Sequence, residues 1–231
     1  MARILLIETA TSLCSCALAL DGQIVEYMES PEPRSQAALT AVFISEMLGK
    51  AGIQPKDCDA VCVSKGPGSY TGLRVGVSSA KGLCFGADLK LLSAGTLDIL
   101  AWQAIDENLL PEGCAHIIPM IDARRMEVYT ATFTPEGRMT SQIEAKIIDA
   151  SSFSKELSDG PVLFIGDGAQ KCASLFESNP NAHFVNCCPK ASSMLHPAMT
   201  AWNEKRFEDV AYFEPFYLKQ FIATESNKKL F

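Results

Sequence analysis

The first half of the chain alternates between two apolar patterns. Short, β-branched apolar runs predict strands at residues 3–8, 13–20, 23–29, 60–64 and 89–93. Apolar side chains three and four positions apart predict helices at residues 36–49, from the glycine-rich stretch after residue 65 to about residue 86, and at 97–108. Asp21-Gly22 is a two-residue hairpin signal between the second and third strands. The predicted order of elements is therefore βββαβαβα.

The second half repeats this order without repeating the letters. Strands are predicted at residues 116–121, 126–134, 141–148, 161–166 and 183–187, and helices at 152–157, 168–177 and 191–206. Three strands followed by alternating helices and strands is the ribonuclease-H-like order. Two copies predict an α/β protein with the two-lobed actin-like ATPase (ASKHA) fold. We expect an N-terminal, partner-binding lobe at 1–110 and a C-terminal lobe at 111–231, with a last helix at about 216–231 packing back on the first lobe.

Composition narrows the functional classes. The 231 residues carry a net charge of −7, which disfavours a protein that binds nucleic acid alone, because such binding uses cations to displace counterions from phosphates. No run of about 18 apolar residues is present, so we expect a cytoplasmic protein that does not use a membrane. The nine cysteines are then expected to be reduced, and their spacing matches no zinc site.

The stretch KGPGSYTGLRVGVSSAKGL, residues 65–83, joins a predicted strand to a predicted helix. A glycine loop in that position is typical of phosphate binding, with the helix N-terminus facing the anion. The order of residues is neither G-x-x-x-x-G-K-[ST] nor the dinucleotide fingerprint. We expect positive φ at the two glycines, a helix cap at Ser69 or Thr71, and candidate anion or nucleotide contacts at Gly66, Pro67, Gly68, Ser69, Thr71 and Arg74.

Within the predicted helix, Gly72, Gly76 and Ala80 recur every four residues and form a stripe with almost no side chain. A glycine inside a helix costs about 1 kcal/mol relative to alanine, so the stripe indicates close approach of another backbone. That backbone belongs either to this protein's own sheet or to another subunit. The pattern alone leaves both alternatives open.

The chain lacks a recognisable catalytic set. His116, His183 and His196 are far apart in sequence and form no zinc motif. Glu8 and Asp122 end the first strand of each half, where actin-like ATPases place an acidic residue and glycines, but the turns ETATS and DARRMEVY lack glycine. Arg124 and Arg125 are candidate anion contacts or a solvated turn. We expect the chain to keep the positions of an actin-like active site but to lack most of the residues that act there.

Three segments carry a family resemblance: GPGSYTGLRVGVSSAKGL, PMIDARRMEVYTATF and FEPFYLKQFIA. They resemble the bacterial TsaB/YeaZ family along the whole chain. The resemblance implies a non-catalytic dimerisation subunit of the machinery that installs threonylcarbamoyl on the adenosine beside the anticodon, in tRNAs that read codons beginning with A. Its implied partners are a TsaD-like catalytic subunit and a TsaE-like ATPase. It implies tRNA contact through the complex alone, a homodimer when the partner is absent, and no cofactor on this chain by itself, with ATP or ADP in the complex.

The resemblance also suggests which residues meet the partner. We expect an interface built from the stripe and its apolar neighbours: Gly72, Leu73, Gly76, Val77, Ala80, Leu83, Leu39 and Phe43. TsaD-like chains carry a metal-binding His pair on the first long helix, where this chain has Ser35 and Leu39, so we expect no metal site and no catalytic residue. Glu8 replaces the Asp more common in the family. An autonomous actin-like small-molecule kinase is the alternative, and the older glycoprotease label implies no peptidase activity.

Overall fold

The computed structural model describes residues 2–219. Its first sheet contains five strands: β1 (Arg3–Glu8), β2 (Cys14–Leu20), β3 (Gln23–Ser30), β4 (Ala60–Gly66) and β5 (Lys90–Gly95). The strand order is β3-β2-β1-β4-β5, with β1, β2 and β3 antiparallel and β4 and β5 parallel to β1. The helices of this half are α1 (Gln36–Ala51), α2 (Tyr70–Ala87) and α3 (Thr96–Asp106). The predicted Asp21-Gly22 turn is confirmed, with φ of 51° and 78°.

A second five-stranded sheet follows the same plan. Its strands are β6 (His116–Asp122), β7 (Glu127–Thr130), β8 (Glu144–Ile147), β9 (Val162–Ile165) and β10 (Ala182–Val185), in the order β10-β9-β6-β7-β8. The helices are α4 (Ser154–Asp159) and α5 (Leu195–Asn203), with short 3-10 helices at Gln170–Leu175 and Ala191–Met194. Two sheets with the same connection order confirm the predicted duplicated architecture.

Two predicted helices of this half are wrong in extent. The segment predicted as a helix at 168–177 is a single 3-10 helix. The one predicted at 191–206 divides into a 3-10 helix and α5. Pro197 lies in the first turn of α5, where its missing N–H costs nothing, but it has no N–H to donate to a preceding turn of α-helix.

The two lobes share helices. On one face of the first sheet, α1 and α2 cover a core that includes Leu5, Val61 and Val63. On the other face, Ala198 and Ala201 of α5 pack against Ile4 and Leu6. Helix α3 instead places Leu97, Leu100, Ala101 and Ala104 against the second sheet. The boundary at 110/111 separates the two sets of strands, but α3 and α5 each pack across it.

The segment 207–219 returns to the first lobe. The Glu208 backbone N–H donates to the carbonyl of Leu91 (2.8 Å), and that of Phe216 donates to the carbonyl of Lys65 (2.7 Å). Val210 and Phe213 pack on the core under α1 and α2. Residues 216–219 are not helical, which corrects the start of the helix predicted at 216–231. Residues 220–231 lie outside the described residues.

Candidate functional site

The glycine stripe of α2 faces the protein's own sheet. A Cβ at Gly72 would collide with the Thr9 carbonyl, and one at Gly76 with the Thr9 hydroxyl. That hydroxyl donates to the carbonyl of Gly72 (2.8 Å) in the buried interior. The close approach that the glycines predict is therefore confirmed, and it is made by the end of β1.

Most of the predicted partner interface is consequently internal. The residues with at most 7% exposure are Leu73, Val77, Ala80 and Phe43, and both stripe glycines are buried. The prediction that these six residues contact another subunit is wrong, because they form the side of α1 and α2 that covers the first sheet. Leu39 and Leu83 are half-buried at the edge of that core.

The loop before α2 is clamped between two backbone segments of the same chain. A Cβ at Gly66 would lie 2.6 Å from the carbonyl oxygen of Phe216, and one at Gly68 would collide with the carbonyl of Ala10. Gly66 has a φ of 111°, as predicted, whereas Gly68 is a close-contact position without positive φ. Pro67 between them is buried. Both glycines thus allow the loop to pack closely against backbone of the same chain.

The helix cap is at Ser69, whose hydroxyl accepts from the N–H of Gly72 (3.3 Å), as one of the two predicted alternatives requires. Ser69 and Thr71 are exposed. Arg74 is exposed too, and its guanidinium lies 5.2 Å from the ring centroid of Tyr70. The three polar candidates of this segment therefore point outward, away from the core side of α2.

Glu8 is the last residue of β1 and is completely buried. Its Oε1 accepts from the N–H of Ala10 (2.6 Å), while Oε2 has no hydrogen-bond partner among the described residues. Burial raises the pKa of this carboxyl to about 8, against hydrogen bonds that lower it. Glu8 is therefore largely protonated at neutral pH. The sequence pattern placed Glu8 at this position but gave no sign that the carboxyl is neutral.

In the second lobe, Asp122 is exposed and its carboxylate pairs with the ammonium group of Lys171. The N–H of Asp122 donates to Asp167 (2.9 Å), a carboxyl whose pKa is raised by burial. A Cβ at Gly166 would collide with the Met120 carbonyl, so this glycine also serves close packing of the chain. Arg124 and Arg125 are both exposed at the turn between β6 and β7.

An apolar groove of about 550 Å³ lies on the outer side of α1 and α2. Leu83 lines it, and so do four residues that the sequence analysis did not single out: Ala41, Ile44, Ser79 and Gly82. A Cβ at Gly82 would meet no atom within 4 Å, so this glycine opens onto the groove without packing against the protein. Nearby on α2, Phe85 is 87% exposed.

No three His, Cys, Asp or Glu side chains among residues 2–219 come together as a set of metal ligands. Within the same residues, no helix is long and apolar enough to cross a membrane.

Comparison with known proteins places the chain in a family. The family model described as TsaD, tRNA N6-adenosine threonylcarbamoyltransferase, matches residues 33–225. The chain is 30% identical over 230 residues to the tRNA threonylcarbamoyladenosine biosynthesis protein TsaB of Escherichia coli K12, covering 96% of each chain. It is 29% identical to TsaB of Bacillus subtilis 168 over 221 residues, covering 94% of this chain and 93% of the relative.

Solved structures agree with the sequence relatives. A Pseudomonas aeruginosa protein described as similar to peptidase YeaZ superposes with a TM-score of 0.81 at 25% identity, covering 95% of this chain and 100% of that one. An activator of 2-hydroxyisocaproyl-CoA dehydratase from Clostridium difficile, with bound ADPNP, gives a TM-score of 0.50 at 11% identity, over 88% and 96% of the two chains. The second likeness supports the actin-like fold alone. By its fold, its motifs and its relatives, the chain belongs to the TsaB/YeaZ family of tRNA threonylcarbamoyladenosine biosynthesis proteins.

Proposed function

We propose that this chain is the non-catalytic partner subunit of a tRNA threonylcarbamoyladenosine-forming complex. It heterodimerises with a TsaD-like catalytic subunit through the outer surface of α1 and α2. The complex, rather than this chain alone, then binds a TsaE-like ATPase and its ATP or ADP. Family membership supports the pathway, and the apolar groove between α1 and α2 is the observation that carries the proposed partner role.

The groove has the features of a helix-docking surface. Small residues at Ala41, Ser79 and Gly82 leave room for another backbone, and Leu83 supplies apolar contact. Of the residues predicted for the interface, Leu83 lines this groove, whereas Leu39 packs at the edge of the core outside it. The proposed interface therefore uses outer residues of the two helices in place of the buried stripe.

Two features of the first lobe support a non-catalytic role. The carbonyls of Ala10 and Phe216 lie against Gly68 and Gly66, so the glycines of this loop serve the packing of the chain on itself. The Glu8 carboxyl at the end of β1 is buried and largely neutral, so it is unsuited to hold a cation. Both features disfavour an autonomous kinase, which needs a loop that binds phosphate and a charged carboxylate for its cation.

Reconstitution of the modification reaction tests this function. The pure chain, supplied with tRNA and a threonylcarbamoyl-adenylate donor, is expected to yield no modified adenosine. Adding it to the TsaD-like and TsaE-like subunits of the same host is expected to raise product formation from background to multiple turnovers. ATP turnover by the chain alone with a small acceptor would support the kinase alternative and contradict the proposal.

A further inference from the structure

The turn between β6 and β7 holds two adjacent arginines with no counter-charge. Arg124 and Arg125 are both exposed. Among residues 2–219, neither of their side chains forms an ion pair or a hydrogen bond. The nearest carboxylates are already engaged, since Asp122 pairs with Lys171 and Glu127 pairs with Lys219. In a chain of net charge −7, this pair is a local reversal of the overall sign.

The backbone of the same turn is unfavourable for arginine. Arg124 has a φ of 72° and Arg125 a φ of 49°, in the left-handed region that Gly, Asn and Asp adopt most readily. Such a conformation is energetically unfavourable for a non-glycine residue. The turn is closed by backbone hydrogen bonds, from the Glu127 N–H to the Arg124 carbonyl and from the Ala123 N–H to the Glu127 carbonyl (both 3.1 Å). Nothing in these contacts requires an arginine side chain.

The C-terminal segment contacts both this turn and the start of α2, where a third exposed arginine, Arg74, is found. Lys219 pairs with Glu127 beside the turn, and two residues earlier the ring of Tyr217 lies 4.7 Å from that of Tyr70. The guanidinium of Arg74 lies 5.2 Å from the centroid of the same Tyr70 ring. Because residues 217 and 219 are at most about 7 Å apart along the chain, one short segment joins the surface around Arg74 to the turn that carries Arg124 and Arg125. We call this joined surface the rim.

We propose that this rim, formed by Arg74, Arg124 and Arg125 around the Tyr70–Tyr217 pair, contacts the phosphate backbone of the tRNA substrate within the complex. Exposed guanidinium groups bind phosphate oxygens in a bidentate fashion. The inference rests on the proposed function and deepens it, because this chain then contributes RNA contacts of its own. The acidic remainder of the chain repels RNA and so confines contact to the rim.

The double substitution Arg124→Asn and Arg125→Gly tests this site without endangering the fold. Both new residues suit left-handed backbone, so the melting temperature of the variant is expected to match or exceed that of the wild type. The affinity of the preformed complex for fluorescent tRNA is expected to fall about tenfold at low salt. The slope of log K against log salt is expected to become shallower by about 1 to 2, one contact per lost arginine.

A matched control removes two positive charges at the other end of the first sheet, where β4 and β5 begin. Lys56→Gln with Lys90→Gln changes exposed residues at the amino ends of β4 and β5, and tRNA affinity is expected to stay within twofold of the wild type. Light scattering first establishes that each complex has formed, so a failure of the proposed partner role is seen separately. Unchanged affinity and slope in the arginine variant, or an equal loss in the control, would overturn the rim proposal. The proposal would also be overturned if the complex with the arginine variant lost affinity for a fluorescent ATP analogue but kept its affinity for tRNA.

Discussion

At the scale of single residues, two glycines of α2 make opposite demands on their surroundings. Gly72 is buried against the Thr9 carbonyl, whereas Gly82 faces the open groove. Substituting alanine at Gly72 is expected to lower the free energy of unfolding by about 1 to 3 kcal/mol, because the backbone of β1 must shift. Alanine at Gly82 is expected to raise it by about 0.5 to 1 kcal/mol through helix propensity. Urea denaturation of both variants measures the difference.

The pair also distinguishes the two alternatives for the stripe. If Gly72→Ala were as stable as the wild type, the stripe would not be packed on β1 and the burial described above would be incorrect. Because the two glycine-to-alanine changes lie on one helix and are expected to change the free energy of unfolding in opposite directions, a general effect of replacing glycine cannot account for both results.

Glu8 gives the stability of the protein a distinctive pH dependence. Its pKa of about 8 in the folded state lies above the ordinary value of 4.5 for a glutamate, so the folded state binds the proton more tightly than the unfolded state. The resulting stabilisation is complete below pH 4.5 and is lost as pH rises through about 8. The loss amounts to about 5 kcal/mol at most.

The isosteric change Glu8→Gln keeps the neutral amide at every pH. Relative to wild type, this variant is expected to gain stability steadily between pH 5 and pH 8, measured by urea denaturation at each pH. Parallel wild-type and variant curves over that range would mean that Glu8 does not titrate in this window. A smaller contribution of the same sign is expected from Asp167, whose pKa is also raised by burial.

At the scale of secondary-structure elements, the sequence predicted the strands of both sheets because buried strands are short, apolar runs that turn residues interrupt. The orientation of α2 was predicted wrongly. Assigning Leu73 and Val77 to a partner together with the glycines left α2 with no apolar side to cover its own sheet. The outer residues, Arg74, Ser78 and Gly82, are the polar and small ones.

Other features at this scale had no local signal. The clamp on Gly66 depends on Phe216, which is 150 residues away in sequence, and no spacing rule connects them. The exchange of α3 and α5 between the lobes likewise results from packing of apolar faces that look alike in sequence. Glu8 was recognised by its place at the end of β1, while its protonation follows from burial by neighbours on several elements.

The C-terminal segment is expected to contribute to stability through its apolar side chains. Phe213 is half-buried on the core under α1 and α2, whereas its neighbour Tyr212 is 84% exposed. Phe213→Ala is expected to cost about 2 kcal/mol and to speed proteolysis within residues 207–219, because packing anchors the segment. Tyr212→Ala, the adjacent control, is expected to change neither property. Equal behaviour of the two variants would mean that the segment is not anchored by Phe213.

At the scale of the whole molecule, the two lobes form one packed unit rather than two independent domains. Helix α3 leaves the first lobe to cover the second sheet, and α5 returns from the second to cover the first. The outer side of α1 and α2, which covers neither sheet, is the surface that the proposed function assigns to another subunit.

The central claim is tested most directly by the mass of the complex with the TsaD-like subunit, measured by light scattering after size-exclusion chromatography. The wild-type chain and Ile147→Arg, a control at a 72% exposed position on β8, are expected to give the mass of a heterodimer. Gly82→Arg adds a long, charged side chain at a position where a Cβ meets no atom within 4 Å, and it is expected to give separate subunits with the melting temperature preserved. A heterodimer formed equally well by Gly82→Arg would contradict the proposed interface.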